Sequence, residues 1–204
     1  MSLPPVRVAV AALLLSSCGQ VVVVPGNLPT PLIEPLPLDV ALYLSDDFSS
    51  YHYREDVAGE AKWDIDLGKA NVALFENVSR GLFRSATRVP TRPTGSAAHH
   101  FGAIIEPSVA AFEFSLPSQS ATEQYSVWIR YTVKVFGADG ELATTWNISA
   151  YGESGSTLLR PARSMEQAAM VAVRDAAATL AVGFVNEARA HGILPEEKTD
   201  GPLP

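Results

Sequence analysis

The sequence predicts an α+β domain: an antiparallel-rich sheet of about four strands with two helices packed on one face. The order is strand, helix, strand, strand, strand, helix. Three observations predict it. Residues 125–150 alternate apolar and polar side chains on both sides of a glycine-bearing turn. Residues 164–191 place alanines and larger apolar residues at helical spacing, and a second such stripe runs from Leu67 to Phe83. A sheet with one apolar face must bury it, and the two amphipathic helices supply the cover.

The elements follow in chain order. Val40, Leu42 and Leu44 alternate with Ala41, Tyr43 and Ser45, the pattern of a half-buried strand. A polar, tyrosine-rich stretch then runs through Glu60. Leu67, Asn71, Leu74, Val78 and Leu82 fall on one helical face with Ala70, Phe75 and Phe83, and Asp64 or Asp66 is placed to cap the start. Pro90 and Pro93 close this region, with room for a short strand at 86–89. Residues 103–116 hold the second main strand, with Ala110, Phe112 and Phe114 on one side of the pleat. Pro107 lacks an N–H, which predicts a start near Ser108.

The hairpin is the clearest element. Tyr125, Val127, Ile129, Tyr131, Val133 and Val135 alternate with Ser126, Trp128, Arg130, Thr132 and Lys134. Gly137-Ala138-Asp139-Gly140 turns the chain, and Leu142 to Ala150 alternate on the return. One apolar and one polar face mean that this sheet is covered on a single side. Ser164 and Gln167 match a capping box, opening a helix to about His191 whose buried stripe is Ala169, Val173, Ala176, Leu180 and Phe184. Gly192 suits the stop.

The N-terminus reads differently. Arg7 precedes an apolar run from Val8 to Leu15, too short for a bilayer span of about 20 residues but right for the apolar core of a signal peptide. The run ends in Leu15-Ser16-Ser17-Cys18. This resembles the lipobox of bacterial lipoproteins, in which the cysteine is acylated and the residues before it are removed. The resemblance implies a signal peptide over 1–17 and a lipid-bearing Cys18. Gly19, rather than aspartate, follows the cysteine, which under that family's sorting rule implies the outer membrane, with the domain facing the periplasm. Cys18 is the one cysteine in the chain, so acylation consumes a thiol that would otherwise be free in an oxidising compartment.

The rest divides into a Pro-rich tether over 18–38, a domain over 39–193 and a polar, disordered tail over 194–204. Prolines at 25, 29, 31, 35 and 37 exclude a helix in the tether. As a plain spacer the twenty residues 19–38 would reach about 60 Å at about 3.1 Å per residue. The alternative is docking, with Val21–Val24 as an edge strand or Leu32, Ile33 and Leu36 packed on the domain. The formal charge of −7 becomes one unit more negative when Arg7 leaves, which argues against nucleic acid as a partner and equally against an anionic membrane surface as the main one.

The order of elements over about 38–192 resembles the small α/β unit of several envelope lipoproteins. Leu67-Gly68-Lys69-Ala70, followed by Leu74 and Phe83, is similar to the first helix of the penicillin-binding-protein activator lipoproteins and of the N-terminal part of the curli secretion lipoproteins. The hairpin ending Ala138-Asp139-Gly140-Glu141 before an alanine-rich helix is similar too. The chain also resembles YajG-type lipoproteins. Through Phe112-Glu113 and Ala143 to Trp146 it is similar to auxiliary lipoproteins of ABC-type intermembrane lipid-transport systems. These units serve many functions, so the resemblance implies an envelope location more than an activity.

Residues that could carry chemistry are scattered. His99-His100 lies in a small-residue loop without metal-ligand spacing, and His191 suits a helix C-terminus. Asp46-Asp47 and Asp64-x-Asp66 lack a calcium-loop pattern, and Ser154-Gly155-Ser156 lacks a nucleophile elbow. The expectation is a non-enzymatic protein without cofactor or metal. Tyr43, Tyr51, Tyr53, Trp63 and Trp128 fall off the predicted core stripes. Trp128 and Arg130 point the same way from the polar side of the hairpin, a pairing that protein interfaces favour. Tyr43, Trp128 and Arg130 are therefore the candidate partner-binding residues. Three functions fit: an envelope adaptor bound to another protein or complex, a lipid-transport auxiliary with an apolar groove between helix and sheet, or a hydrolase with a cleft of perturbed residues.

Overall fold

The computed structural model describes residues 19–157 and 159–194. The expected signal segment, Cys18 and the tail from 195 onward lie outside the described residues. The chain forms β1 (Gln20–Val23), β2 (Leu36–Tyr43), α1 (Asp46–Ser49), β3 (His52–Asp56), β4 (Lys62–Asp66), α2 (Gly68–Leu82), β5 (Phe83–Val89), β6 (Ala103–Ser115), β7 (Gln124–Gly137), β8 (Leu142–Gly155) and α3 (Pro161–Ala190).

The class is mixed α/β, but the single four-stranded sheet of the sequence reading becomes two sheets. The larger has five strands in the order β5-β2-β6-β7-β8, and the smaller has three in the order β1-β4-β3. β5 and β6 both run parallel to β2, while β6, β7 and β8 are antiparallel. The smaller sheet hides from periodicity because β3 (His52–Asp56) leaves every residue but Tyr53 exposed. β3 has no apolar stripe to read, and the alternation of Trp63 and Ile65 in β4 spans only five residues.

β6 starts at Ala103, not near Ser108, and Pro107 sits inside it opposite Val133. Pairing with β2 stops at Ile105, so the missing N–H of Pro107 falls where one side of the strand is open. A bulge between Val109 and Ala111 resets the alternation. Val109 packs on the core with Phe112 and Phe114, and Ala110, expected beside them, is exposed.

α2 and α3 cover one face of the larger sheet, and their stripes join the main core. Gly68 N–H donates to Asp66 Oδ1 at 2.9 Å, so Asp66 rather than Asp64 serves the start of α2. Phe83, expected in that helix, opens β5. α3 begins at Pro161, a position proline favours, so Ser164 lies inside the helix and is not its cap. Its hydroxyl meets Thr157 Oγ1 at 3.0 Å instead. α3 is long and apolar enough to cross a bilayer by composition, yet its Ala168–Ala172 turn lies directly on β8. A Cβ on Gly152 would stand 2.2 Å from the Ala168 carbonyl oxygen, so the crossing requires glycine there.

Segment 19–35 is no free spacer. β1 pairs in parallel with β4, from Gln20 opposite Trp63 to Val23 opposite Asp66. Val22, Val24 and Leu28 are buried. The chain then runs along α2 as a strap. Asn77 Nδ2 donates to the Leu28 carbonyl at 2.8 Å, and Gly81 leaves room for the Pro31 carbonyl. Leu32 is fully exposed, so of the three apolar residues considered for docking only Leu36 packs well on the core. At the other terminus Leu194, expected in the tail, is buried, and its N–H donates to Ala188 O after Gly192 turns the chain at φ +68°.

Candidate partner-binding surface

The face of the larger sheet away from the helices is mostly open. Near the hairpin turn, Ala41, Ala98, Ile104 and Phe136 form a small second cluster under the loop at 95–101, with the Arg92 guanidinium 4.4 Å from the Phe136 ring centre. Beyond that loop no described element covers the face. Alternation from Phe136 back along β7 places Lys134, Thr132, Arg130 and Trp128 outward, while Val133, Tyr131, Ile129 and Val127 are buried.

Trp128 is 43% exposed and lies opposite Tyr151 on β8, itself 39% exposed. Their rings are 5.1 Å apart at 45°. The Tyr151 hydroxyl donates to Glu153 Oε2 at 2.7 Å, which fixes the ring. Beside this pair is a shallow depression of about 230 Å³, lined by Trp128, Arg130, Ala111, Glu113 and Ser149. Ala111 belongs to the β6 bulge, so a small side chain sits where the strand is bent. The surface combines an aromatic shelf, one cation and one anion over a concave floor. Such a surface can seat a side chain of another protein and offer charged hydrogen bonds at its rim.

Trp128 and Arg130 are thus neighbours, as the alternation implied. Tyr43 shares their side of the sheet but not their neighbourhood. Leu42 is level with Ile105 and, through it, with Val135, seven residues from Trp128. Tyr43, one step further along, is six residues from the level of Trp128, which at about 3.3 Å per residue separates the two by about 20 Å along the strands and two strands across. One compact hot spot cannot include all three. Tyr151 and Glu113 were missed, although the parity of β8 and β6 against β7 carries them.

Of the remaining aromatics, Trp63 and Tyr131 lie inside, and Tyr51 and Tyr53 pack half-buried against the core. Trp63, expected off the core, is 4% exposed and packs on Phe114 and Tyr125. Its indole Nε1 is buried with no hydrogen-bond partner among the described residues. Tyr53 meets Phe112 at 4.9 Å, and burial, then the bond to Glu55, pushes its phenol up to about 12. Tyr131 is fully buried and donates to Asn71 Oδ1 at 2.8 Å, and burial pushes its phenol far up. Asn71 Nδ2 donates on to the Phe48 carbonyl at 3.3 Å, so this network ties α1, α2 and β7 together.

The acidic pair Asp64-x-Asp66 has partners that spacing did not reveal. His52 Nδ1 lies 3.0 Å from Asp64 Oδ1, and Arg54 Nε donates to Asp64 Oδ2 at 2.8 Å. Those bonds, Arg54 first, hold the Asp64 carboxyl below the usual range. This is a cross-strand ladder on β3 and β4, with His52 and Arg54 on one strand and both aspartates on the other. Among the described residues no three His, Cys, Asp or Glu side chains are placed to hold a metal ion. An apolar groove of about 270 Å³ lies between the strap, at Leu28, Pro29 and Pro31, and the Arg174–Ala181 face of α3. It is outside the helical layer, not beneath it as a groove between helix and sheet would be.

No family model matches the chain, and no curated protein matches it in sequence. Among solved structures it is similar to a Xanthomonas campestris protein of the DUF330 family, at 16% identity and a TM-score of 0.49 over 82% of this chain and 98% of that one. It is also similar to a candidate lipoprotein from Caulobacter crescentus, at 10% identity and TM-score 0.41 over 60% of this chain and 82% of the other. A hypothetical protein from Chlamydia trachomatis matches at 9% identity and TM-score 0.39, over 72% of this chain and 95% of that one. Likenesses this distant carry nothing about chemistry.

Proposed function

We propose that this protein is an acylated lipoprotein of the bacterial envelope, anchored through Cys18 in the outer membrane with its domain facing the periplasm. It works as a non-enzymatic adaptor that holds another envelope protein on the open face of its larger sheet. The observation that carries the adaptor reading is the half-exposed Trp128–Tyr151 pair beside Arg130 and a concave floor. Aromatic and arginine side chains around a depression are the usual anchors of a protein interface. The anchoring half draws on Leu15-Ser16-Ser17-Cys18. The test is crosslinking in intact cells from a photoreactive residue at Ser149. A discrete adduct that disappears with Trp128→Ala and Arg130→Ala supports the reading, and an unchanged adduct pattern refutes it. Cys18→Ser should release the protein from the membrane fraction or leave it unprocessed. A second reading, a lipid-transport auxiliary, draws on the apolar groove between strap and α3. Ala178→Trp would fill that groove and should abolish copurifying lipid if the second reading holds.

A further inference from the structure

We infer that the pole of the molecule carrying Gly19 and Gln20 rests directly on the bilayer, with Leu159 set among the lipids and Arg160 and Arg163 against anionic headgroups. This rests on acylation at Cys18 and adds where the folded body stands relative to the anchor.

Covalent geometry starts the argument. The Cα of Cys18 is about 3.8 Å from that of Gly19. Gly19 already borders β4, since a Cβ built on it would stand 3.8 Å from the Lys62 carbonyl oxygen, and Gln20 opens β1 opposite Trp63. No free chain separates the acylated residue from the fold, so the acyl chains draw this end of the sheet to the headgroups.

The surface at that end suits such a place. Gln20 lines a depression of about 310 Å³ whose other walls include Trp63, Tyr125, Ser156, Thr157 and Pro161. The β8–α3 connection therefore stands just across from the point where the anchor enters. In that connection Leu159 is 93% exposed, and Val21, three residues from Cys18, is 69% exposed. Arg160 and Arg163 are exposed, and neither guanidinium has an ion-pair partner among the described residues. An outward leucine flanked by unpaired arginines is the composition of an interfacial anchor, in which the apolar group sinks and the cations meet phosphate.

The sole cysteine makes the test direct. When Cys18 carries lipid, Leu159→Cys supplies the one free thiol, which is labelled with an environment-sensitive nitrobenzoxadiazole dye. The acylated protein is reconstituted into phosphatidylethanolamine–phosphatidylglycerol vesicles. A second preparation carries the dye through Leu142→Cys, at the opposite end of β8. The expected result is a blue shift and several-fold brighter emission at position 159, quenched by nitroxide-bearing lipid, with no change at 142. Arg160→Glu with Arg163→Glu should reduce the shift while the protein still floats with the vesicles. If the protein floats but both dyes behave alike, the docked pole is overturned and acylation stands. A shift at 159 that follows protein concentration without vesicles assigns the pole to a second copy of this chain and also overturns it. Failure to float refutes acylation itself, and the docked pole falls with it.

Discussion

The two faces of the larger sheet are built on opposite terms. One lies under α2, α3, the smaller sheet and, outside them, the strap, and its residues are almost all buried. The other has one short loop over its turn end and is otherwise bare. At Gly152 the covered face has no room for a Cβ, whereas the open face carries a tryptophan and a tyrosine that are each about two-fifths exposed, beside an exposed arginine. If the open face is the partner surface proposed above, stability and recognition are divided between two sides of the same strands, and substitutions on the two sides should separate the two properties.

Gly152→Val should have the largest effect. Its side chain would force α3 off β8, lowering stability by about 3 kcal/mol or more in urea unfolding. Leu180→Ala, on the buried stripe of α3, should cost about 2–5 kcal/mol. Asn71→Leu should cost about 1–3 kcal/mol, because it strands the buried Tyr131 hydroxyl and the Phe48 carbonyl without partners. On the bare face, Trp128→Ala with Arg130→Ala should change the melting temperature little yet weaken partner capture at least tenfold, an anchor loss of about 2 kcal/mol. A fall in melting temperature with capture intact would erase the distinction between the faces.

The smallest effect concerns Asp64. Its carboxyl is depressed in the folded state, by Arg54 first and His52 second. Such a group stabilises the fold above the unfolded aspartate value of about 3.9, and that contribution is lost as pH falls through the lower folded value. The difference in stability between wild type and Asp64→Asn should therefore be present at neutral pH and vanish in strong acid. A difference that persists at the acid end would show that the ladder acts through packing.

What the sequence made legible was whatever carried a period. The hairpin alternates over more than twenty residues, and α3 repeats its stripe for seven turns, so both are found close to their true places. Of the smaller sheet only β1 was legible, as the edge strand that Val21–Val24 offered; β3 and β4 escaped because both are five residues long and β3 has one inward residue. The β6 bulge escaped because one extra residue shifts every later side chain to the other face, which no fixed period can anticipate. At the candidate surface, Trp128 and Arg130 were legible from parity within one strand. Tyr43 was not separable from them, because distance across a sheet depends on registers between strands that lie far apart in sequence.

The position of β1 has a consequence for the order of events in the cell. Its partner β4 begins about forty residues later in the chain, and the strap between them closes over a helix that follows β4. β1 therefore cannot complete its pairing before β4 is available to it. Any enzyme that must handle Cys18 in an extended form needs the residues on either side of it, and those on the far side are the ones that β1 takes up. For a chain acylated at Cys18, maturation and folding compete for the same few residues. Under the acylation proposed above, processing is expected to precede the pairing of β1 with β4.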